Sequence, residues 1–426
     1  MASSAEKTRN RLKNIGSFDI IEKLKENLNK NSDTEKDRLP IELKITEEGT
    51  TERRNFIYSE TGKTLPLLYG EHSFNNLNTL EGNIENFIGM SMIPTGVIGP
   101  LRVTGTDDNG DFYIPLATSE GALVASYHRG AKACYLAGGA TSICLVEGVQ
   151  RSPVFKFNTI VELGSFLSWV LPLTDHFRHI TENTSRYAKL IDLKANIEGN
   201  HLILIFEYST GDAAGQNMVT LCTDEICQYI LEHAPVKPEF WFIESNYSGD
   251  KKATAYSFSN VRGKKVTAEI ILPESIITSV LKTTARAMAE YWRTSTVGVI
   301  QSGAIGAQGH IANGLTALFI ATGQDVACIS EAAVGITRME EKEDGALYAS
   351  VTLPNLIVGT VGGGTALPTQ KECLELMDCA GEGKARKFAE ICGAVVLAGE
   401  LSIAAALSSG HFTGAHKKLG RKKVKS

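Results

Sequence analysis

Between residues 66 and 150 the chain is built from small and apolar residues, and the same texture resumes after about residue 265, with a block of different character between. That interruption constrains the fold more than any single motif. The two outer stretches need each other to close a core, so the middle block reads as an insert. Within residues ~152–242, a helical run "IVELGSFLSWVL", a strand "LILIFEYST" and a helix "NMVTLCTDEICQYILEH" make a small α/β unit. Residues 1–65 are polar and charged, and "FDIIEKLKENLNK" spaces Ile20, Ile21, Leu24 and Leu28 as a thin helical stripe. We find no internal repeat.

The outer stretches carry the strongest local signals. "IPTGVIGPLRV" places Pro and Gly punctuation before a short strand. "PLATSEGALVASYHRGAKACYLAGGA" predicts a closely packed helix, entered near Thr118 or Ser119 and ended by Gly138-Gly139. Glu120 then falls in the first turn, where the helix dipole favours an anion. After the insert, "KVTAEIILPESIITSVLKTTARAMAEYW" returns to a strand and then a helix.

Charge and cysteine usage exclude several classes. A net charge of -5 gives no reason to expect nucleic acid as a partner, and the six basic groups of the last ten residues read as a solubilising tail. The eight cysteines form no CxxC pair and no metal-ligand spacing, which suggests a reducing compartment and no bound metal. No uninterrupted apolar run approaches the ~20 residues of a spanning helix, and "MASSAEKTRNRLKN" lacks the apolar centre of a secretion signal. The expectation is a soluble, cytoplasmic protein.

Five polar or glycine-rich segments are candidates for chemistry. "ESNYSGDKKATAYS" sets Asp250, Lys251 and Lys252 side by side, as a solvated loop or as a cationic centre held by carboxylates elsewhere. "TGDAAGQNMV" joins a strand to a helix start whose amides could hold phosphate, although it is not the GxGxxG fingerprint. "IVGTVGGGT" makes either a tight turn or a close backbone approach to a flat ligand. "GAIGAQGHIANGLTALFIATGQD" puts His310 and Asn313 on one helix face and Asp325 beyond the helix end. "LSSGHFTGAHKKLG" carries His411 and His416 as idle surface histidines or as acids on a mobile tail.

Taken in order, "ENFIGMSMIPTGVIGPL", "PLATSEGALVAS", "GDAAGQNMV", "SGDKKA", "GQD", "VGTVGGGT" and "GHFTGAH" resemble the 3-hydroxy-3-methylglutaryl-CoA (HMG-CoA) reductase family, over roughly residues 40–421. The likeness is closer to the eukaryotic and archaeal form. It implies an α+β fold in which a large catalytic domain (66–151 and 253–426) carries an inserted ferredoxin-like NADPH domain (152–242). A helical N-terminal region (1–65) and a connecting catalytic loop (243–252) complete it. It also implies a homodimer or higher homo-oligomer with the active site at the interface near "ENFIG", and no membrane.

The implied activity is reduction of HMG-CoA to mevalonate and CoA with two hydrides from NADPH. The resemblance assigns catalysis to Glu120, Lys251, Asp325 and His416, with His411 beside the last. It assigns substrate and CoA contacts to Ser126, Arg129, Lys132, Arg151, Asp250, Lys252, His310 and Asn313. Cofactor contacts fall to Ser185 and Arg186 at the 2′-phosphate, to Asp212, Ala213, Ala214, Gly215, Gln216 and Asn217 in the covering loop, and to Gly362 and Gly363. Four positions depart from the family pattern. Gln216 replaces a methionine, Glu244 a substrate-contacting serine and His128 a CoA-contacting asparagine, and Gly306 to His310 runs one residue short. Alternative readings are an NADH-linked enzyme of the same fold that oxidises mevalonate, and a catalytically silent acyl-CoA-binding protein.

Overall fold

The computed structural model describes residues 18–30, 37–40, 46–71, 80, 82–107 and 109–410. Helix α1 (Phe18–Lys30) and α2 (Glu47–Thr61) precede the first strands, β1 (Thr95–Gly105) and β2 (Asn109–Ala117). Then come α3 (Leu123–Leu136), β3 (Ala140–Arg151), β4 (Val154–Lys156), α4 (Ile160–Val170) and α5 (Thr174–Thr184). They are followed by β5 (Lys189–Glu198), β6 (His201–Ser209), α6 (Gln216–His233), β7 (Phe240–Phe242) and β8 (Gly263–Leu272). The remainder is α7 (Ala285–Ser302), α8 (Ile311–Thr322), β9 (Ile336–Glu341), β10 (Leu347–Leu356), α9 (Pro368–Leu376) and α10 (Ala385–Ser408). The fold is α+β.

Strand β3 organises the whole sheet. Its first part pairs parallel to β1 and antiparallel to β8, while Val149–Arg151 pair antiparallel with Phe206–Tyr208 of β6. One strand therefore runs from a core built by β1, β2, β8, β10 and α10 into a second core built by β4, β6, α4, α5 and α6. Arg151, at the end of β3, lies where the two cores meet. It is buried there.

Helix α10 is long and apolar enough to cross a bilayer, but it is mostly buried within the first core. At Gly130 its crossing with α3 leaves no space for a side chain. A Cβ added at Gly130 would lie 1.8 Å from the Ala398 carbonyl oxygen. Gly130→Ala is accordingly expected to cost at least the ~1–3 kcal/mol typical of overpacking. A urea unfolding midpoint equal to wild type would refute this.

The structure corrects three local expectations. Strand β1 is eleven residues long and includes the Pro/Gly punctuation, with its register shift between Ile98 and Leu101 absorbing Gly99-Pro100. Helix α3 starts at Leu123, not near Thr118 or Ser119, so Glu120 lies outside the first turn. There Thr118 accepts the Glu120 amide at 2.9 Å and closes a turn, the competing use of a hydroxyl that otherwise caps a helix. His310 precedes α8 as its cap residue, rather than sharing a helix face with Asn313.

Candidate active site

The loop after β7 turns through Gly249 (φ 76°) and Lys251 (φ 57°). A lysine in the left-handed region costs about 1–2 kcal/mol, so something must hold it there. The Lys251 amide donates to Glu331 Oε1 at 3.0 Å, and the other oxygen of this fully buried carboxylate accepts from Arg262 Nε at 2.8 Å. Arg262, itself buried, also donates to the Asp250 carboxylate and to the Gln150 carbonyl (3.2 Å). One buried ion lattice thus fixes both Asp250 and Lys251. Burial raises the Glu331 carboxyl above its usual range, with Arg262 opposing.

Lys251 Nζ stands 2.9 Å from Asp325 Oδ2. The hydrogen bond to Asp325 raises the Lys251 pKa. Burial pushes Asp325 upward, but the hydrogen bond and charge of Lys251 outweigh it and the net shift is down. Both groups are therefore held charged across neutral pH. Their side chains remain 45% and 36% exposed, so a ligand can reach the ammonium. Asp325 is braced by the Ala327 amide on Oδ1 (3.1 Å). Its neighbour Gln324 exchanges two hydrogen bonds with the Gly359 backbone (2.9 and 3.0 Å).

That contact ties the lysine centre to two loops. Thr360 donates its amide to the Asp212 carbonyl at 2.8 Å, and a Cβ at Gly359 would sit 2.6 Å from the Ala214 nitrogen. The backbones of the 212–217 and 357–365 segments therefore touch, which only glycine at 359 permits. Gly362 and Gly363 face open space, and Asn217 is exposed at the start of α6. The Asp212 carboxylate itself is spent on the amides of Gly383 (2.7 Å) and Ala385 (3.0 Å). Beyond α5, Ser185 accepts the amides of Tyr187 and Ala188, and Arg186 is exposed.

Behind the lysine lies a second polar cluster. Arg151 Nη1 donates to Glu244 Oε2 (3.1 Å) and Asp250 Oδ2 (3.3 Å), and Nη2 donates to the Gln216 carbonyl (3.4 Å). The Gln216 amide donates to Asp250 Oδ1 (3.2 Å) and to Cys328 Sγ (3.0 Å). Burial pushes the Cys328 thiol up to about 12, so it stays neutral. Lys252 is exposed, with Nζ 2.9 Å from the Asp250 carbonyl.

Glu120 lies elsewhere. Both its oxygens accept from Asn313 Nδ2 (3.2 and 3.1 Å), and the pair borders a cavity of about 490 Å³ shared with Ser126, Arg129, His310 and Ile403. Fully buried Glu400 holds the floor, taking the amides of Gly309 (2.6 Å) and His310 (2.7 Å) and the Thr337 hydroxyl (2.7 Å). Ser126 and Arg129 both reach Ser402, so the α3 face is locked onto α10. Lys132, one turn on, is half-buried. Burial, followed by the Lys132 charge, lowers His128 to about 4; it is neutral, and its Nδ1 accepts the Gly99 amide.

Among the described residues, no hydrogen bond or ion pair joins the Glu120 group to the Lys251 group. Helix α8 explains why: Asn313 is in its first turn and Asp325 follows its far end. Twelve helical residues span about 18 Å. His411 and His416 lie outside the described residues. Three functional supports escape sequence reasoning: Arg262, Glu331 and Glu400. Only Glu400 leaves a local signal, as a lone acid amid the apolar second half of α10.

A fixed, charged and accessible lysine, paired with a carboxylate and flanked by two touching glycine-containing loops, defines an enzyme of the charge-stabilising kind. The sequence profile described as Hydroxymethylglutaryl-coenzyme A reductase matches residues 49–421, and the chain belongs to that family. It is 43% identical over 376 residues to the 3-hydroxy-3-methylglutaryl-coenzyme A reductase of Methanocaldococcus jannaschii, covering 87% of this chain and 92% of that protein. The Pyrococcus horikoshii protein of the same name is 44% identical over 360 residues, covering 83% and 87%. A class II HMG-CoA reductase structure from Streptococcus pneumoniae, bound to NADPH in open conformations, shares the fold with a TM-score of 0.67. It is 18% identical, over 84% of this chain and 96% of that one.

Proposed function

We propose that this protein reduces HMG-CoA to mevalonate and free CoA in two NADPH-dependent steps. The observation that carries the reading is Lys251 Nζ, held charged 2.9 Å from Asp325 in a strained, lattice-braced loop. NADPH supplies a hydride in each step. The first adds to the thioester carbonyl carbon, and the resulting oxyanion needs a fixed cation, the role given to Lys251. Collapse of that adduct expels the CoA thiolate and leaves mevaldehyde. The second adds to the aldehyde carbon, and Glu120 protonates the product oxygen. Asp325 keeps Lys251 charged and oriented, while Arg151, Asp250 and Lys252 hold the substrate's carboxylate and hydroxyl end.

Exposed Arg186 with Ser185 suits a 2′-phosphate, and the open backbone at Gly362 and Gly363 suits close approach of the dinucleotide. We read residues 152–242 as the cofactor unit, inserted into a catalytic unit of 66–151 and 253–426. Ser126, Arg129 and Lys132 form the CoA face, with His310 and Asn313 beside the acyl group. The deciding experiment is HMG-CoA-dependent oxidation of NADPH by the purified chain, run in both directions with NADPH and NADH. Preference for NADH and mevalonate would replace this reading with the oxidative one.

The role of thiolate acid falls to His416. His416→Gln is expected to slow HMG-CoA reduction by ~10²–10⁴ while sparing free mevaldehyde, which releases no thiolate. Imidazole suits the task, since its ordinary pKa of ~6.5 lets it donate and reload near neutrality. Equal slowing of both substrates, or a selective defect in His411→Gln instead, would reject the assignment.

The site itself we place between two copies of the chain. Supporting this is α8, twelve residues and about 18 Å long, which carries the Glu120 group on its first turn and the Lys251 group beyond its far end within one copy. A second support is the segment before β1, where Ile84, Ile88, Met90, Met92 and Ile93 are all exposed. Apolar exposure on that scale marks an interaction surface.

A further inference from the structure

We propose that Glu244 is a receptor for the substrate's terminal carboxylate that works as a neutral acid, so that binding HMG-CoA takes up one proton. The inference rests on reading Arg151 as the substrate's carboxylate partner. That guanidinium is already matched: Nη1 meets Glu244 Oε2 at 3.1 Å and Asp250 Oδ2 at 3.3 Å, and Nη2 meets the Gln216 carbonyl at 3.4 Å. Arg262 and Lys251 are matched by carboxylates too, while exposed Lys252 has only a backbone carbonyl among the described residues. Arg262 meets Asp250 and Glu331, Lys251 meets Asp325, and Lys252 lies on the Asp250 carbonyl.

The charges around the loop therefore balance. Arg151, Lys251, Lys252 and Arg262 stand against Glu244, Asp250, Asp325 and Glu331. A serine at position 244, the residue type from which this chain departs, would leave one positive charge over for an incoming carboxylate. With glutamate there, the substrate brings a fifth negative charge into a partly buried cluster. Repulsion between adjacent carboxylates favours protonating one of them. The balance is simple: the Glu244 carboxylate, the substrate carboxylate and one proton become a carboxyl–carboxylate hydrogen bond, with Arg151 turned to the substrate.

Geometry picks Glu244 from the four acids. Both oxygens of Asp250, Glu331 and Asp325 accept hydrogen bonds. On Glu244 everything falls on Oε2, which accepts from Arg151, the Ser152 amide (3.4 Å) and the Ser248 hydroxyl (3.1 Å). Oε1 is buried without a hydrogen-bond partner among the described residues, as is Arg151 Nε. A proton on Oε1 turns that orphan acceptor into a donor that an incoming carboxylate oxygen could accept once Arg151 turns to the substrate. The charged groups bearing on it are Arg151 from β3 and Asp250 from its own loop. Arg262 at the head of β8, Lys251 and Lys252, and Asp325 and Glu331 beyond α8 stand behind them.

The test is HMG-CoA binding without NADPH, measured calorimetrically in buffers of different ionisation heat, with CoA alone as the reference for its own phosphates. Wild type is expected to take up one proton more than Glu244→Ser, and its Kd to rise with pH where that of the variant does not. Glu244→Ser and Glu244→Gln should bind with flat pH dependence, the glutamine supplying a neutral donor permanently. A wild-type slope and proton count equal to those of both variants overturns the proposal, as does failure to bind HMG-CoA. NADPH oxidation in parallel separates the two readings. Turnover without proton linkage removes only the Glu244 role, whereas neither turnover nor binding removes the reductase reading itself.

Discussion

Lys251→Ala is expected to abolish reduction of both HMG-CoA and free mevaldehyde, with kcat falling at least ~10²–10³-fold for each. Both steps turn a carbonyl oxygen into an alkoxide, and the lysine is an accessible cation fixed by a carboxylate, which its exposed neighbour Lys252 is not. Its ammonium is paired at 2.9 Å with Asp325, and its backbone is tied to Glu331. Alanine leaves Asp325 as an unneutralised anion where negative charge must develop, so the loss exceeds that of a simple contact. Because Glu331 accepts from the amide of residue 251, which alanine retains, the loop itself should stay in place. NADPH binding by fluorescence is thus expected to match wild type. Near-normal mevaldehyde reduction by the variant would remove Lys251 from the second step.

Much of the fold and part of the site were legible because the signals are local. The stripe of Ile20, Ile21, Leu24 and Leu28 falls in α1, and "LILIFEYST" contains most of β6. The pairing of Lys251 with Asp325 follows from the resemblance, and the structure brings the two together. What was not legible is non-local or degenerate. Arg262 and Glu331 lie 69 residues apart and find each other only in the folded core. Nothing in "SNVRGKK" or "ISEAAVG" marks them. The start of α3 was misplaced because a threonine hydroxyl serves turns and helix caps alike. Gln216 looked like a bare departure from methionine, yet its amide links Asp250 to Cys328 across the two loops.

On the acid role proposed for Glu120, Glu120→Gln should also cripple the enzyme, by ~10²–10⁴, since a glutamine cannot donate the proton that completes the alcohol. The more informative result comes from pairing it with Lys251→Ala. Within one chain, Glu120 is bound to Asn313 at one end of α8, and Asp325 follows the other end with Lys251 on it. If each site takes Glu120 from one copy and Lys251 from its partner, a mixed dimer contains one site with both lesions and one with neither. Random exchange makes half the dimers mixed, so two inactive variants should together recover about a quarter of wild-type activity in a two-fold assembly. If both residues came from the same chain, every site would carry a lesion and mixing would restore nothing. Subunit exchange must be confirmed by co-purification of differently tagged copies. With exchange confirmed and activity still absent, the interface reading fails, and α8 would have to bend for Glu120 to serve its own Lys251.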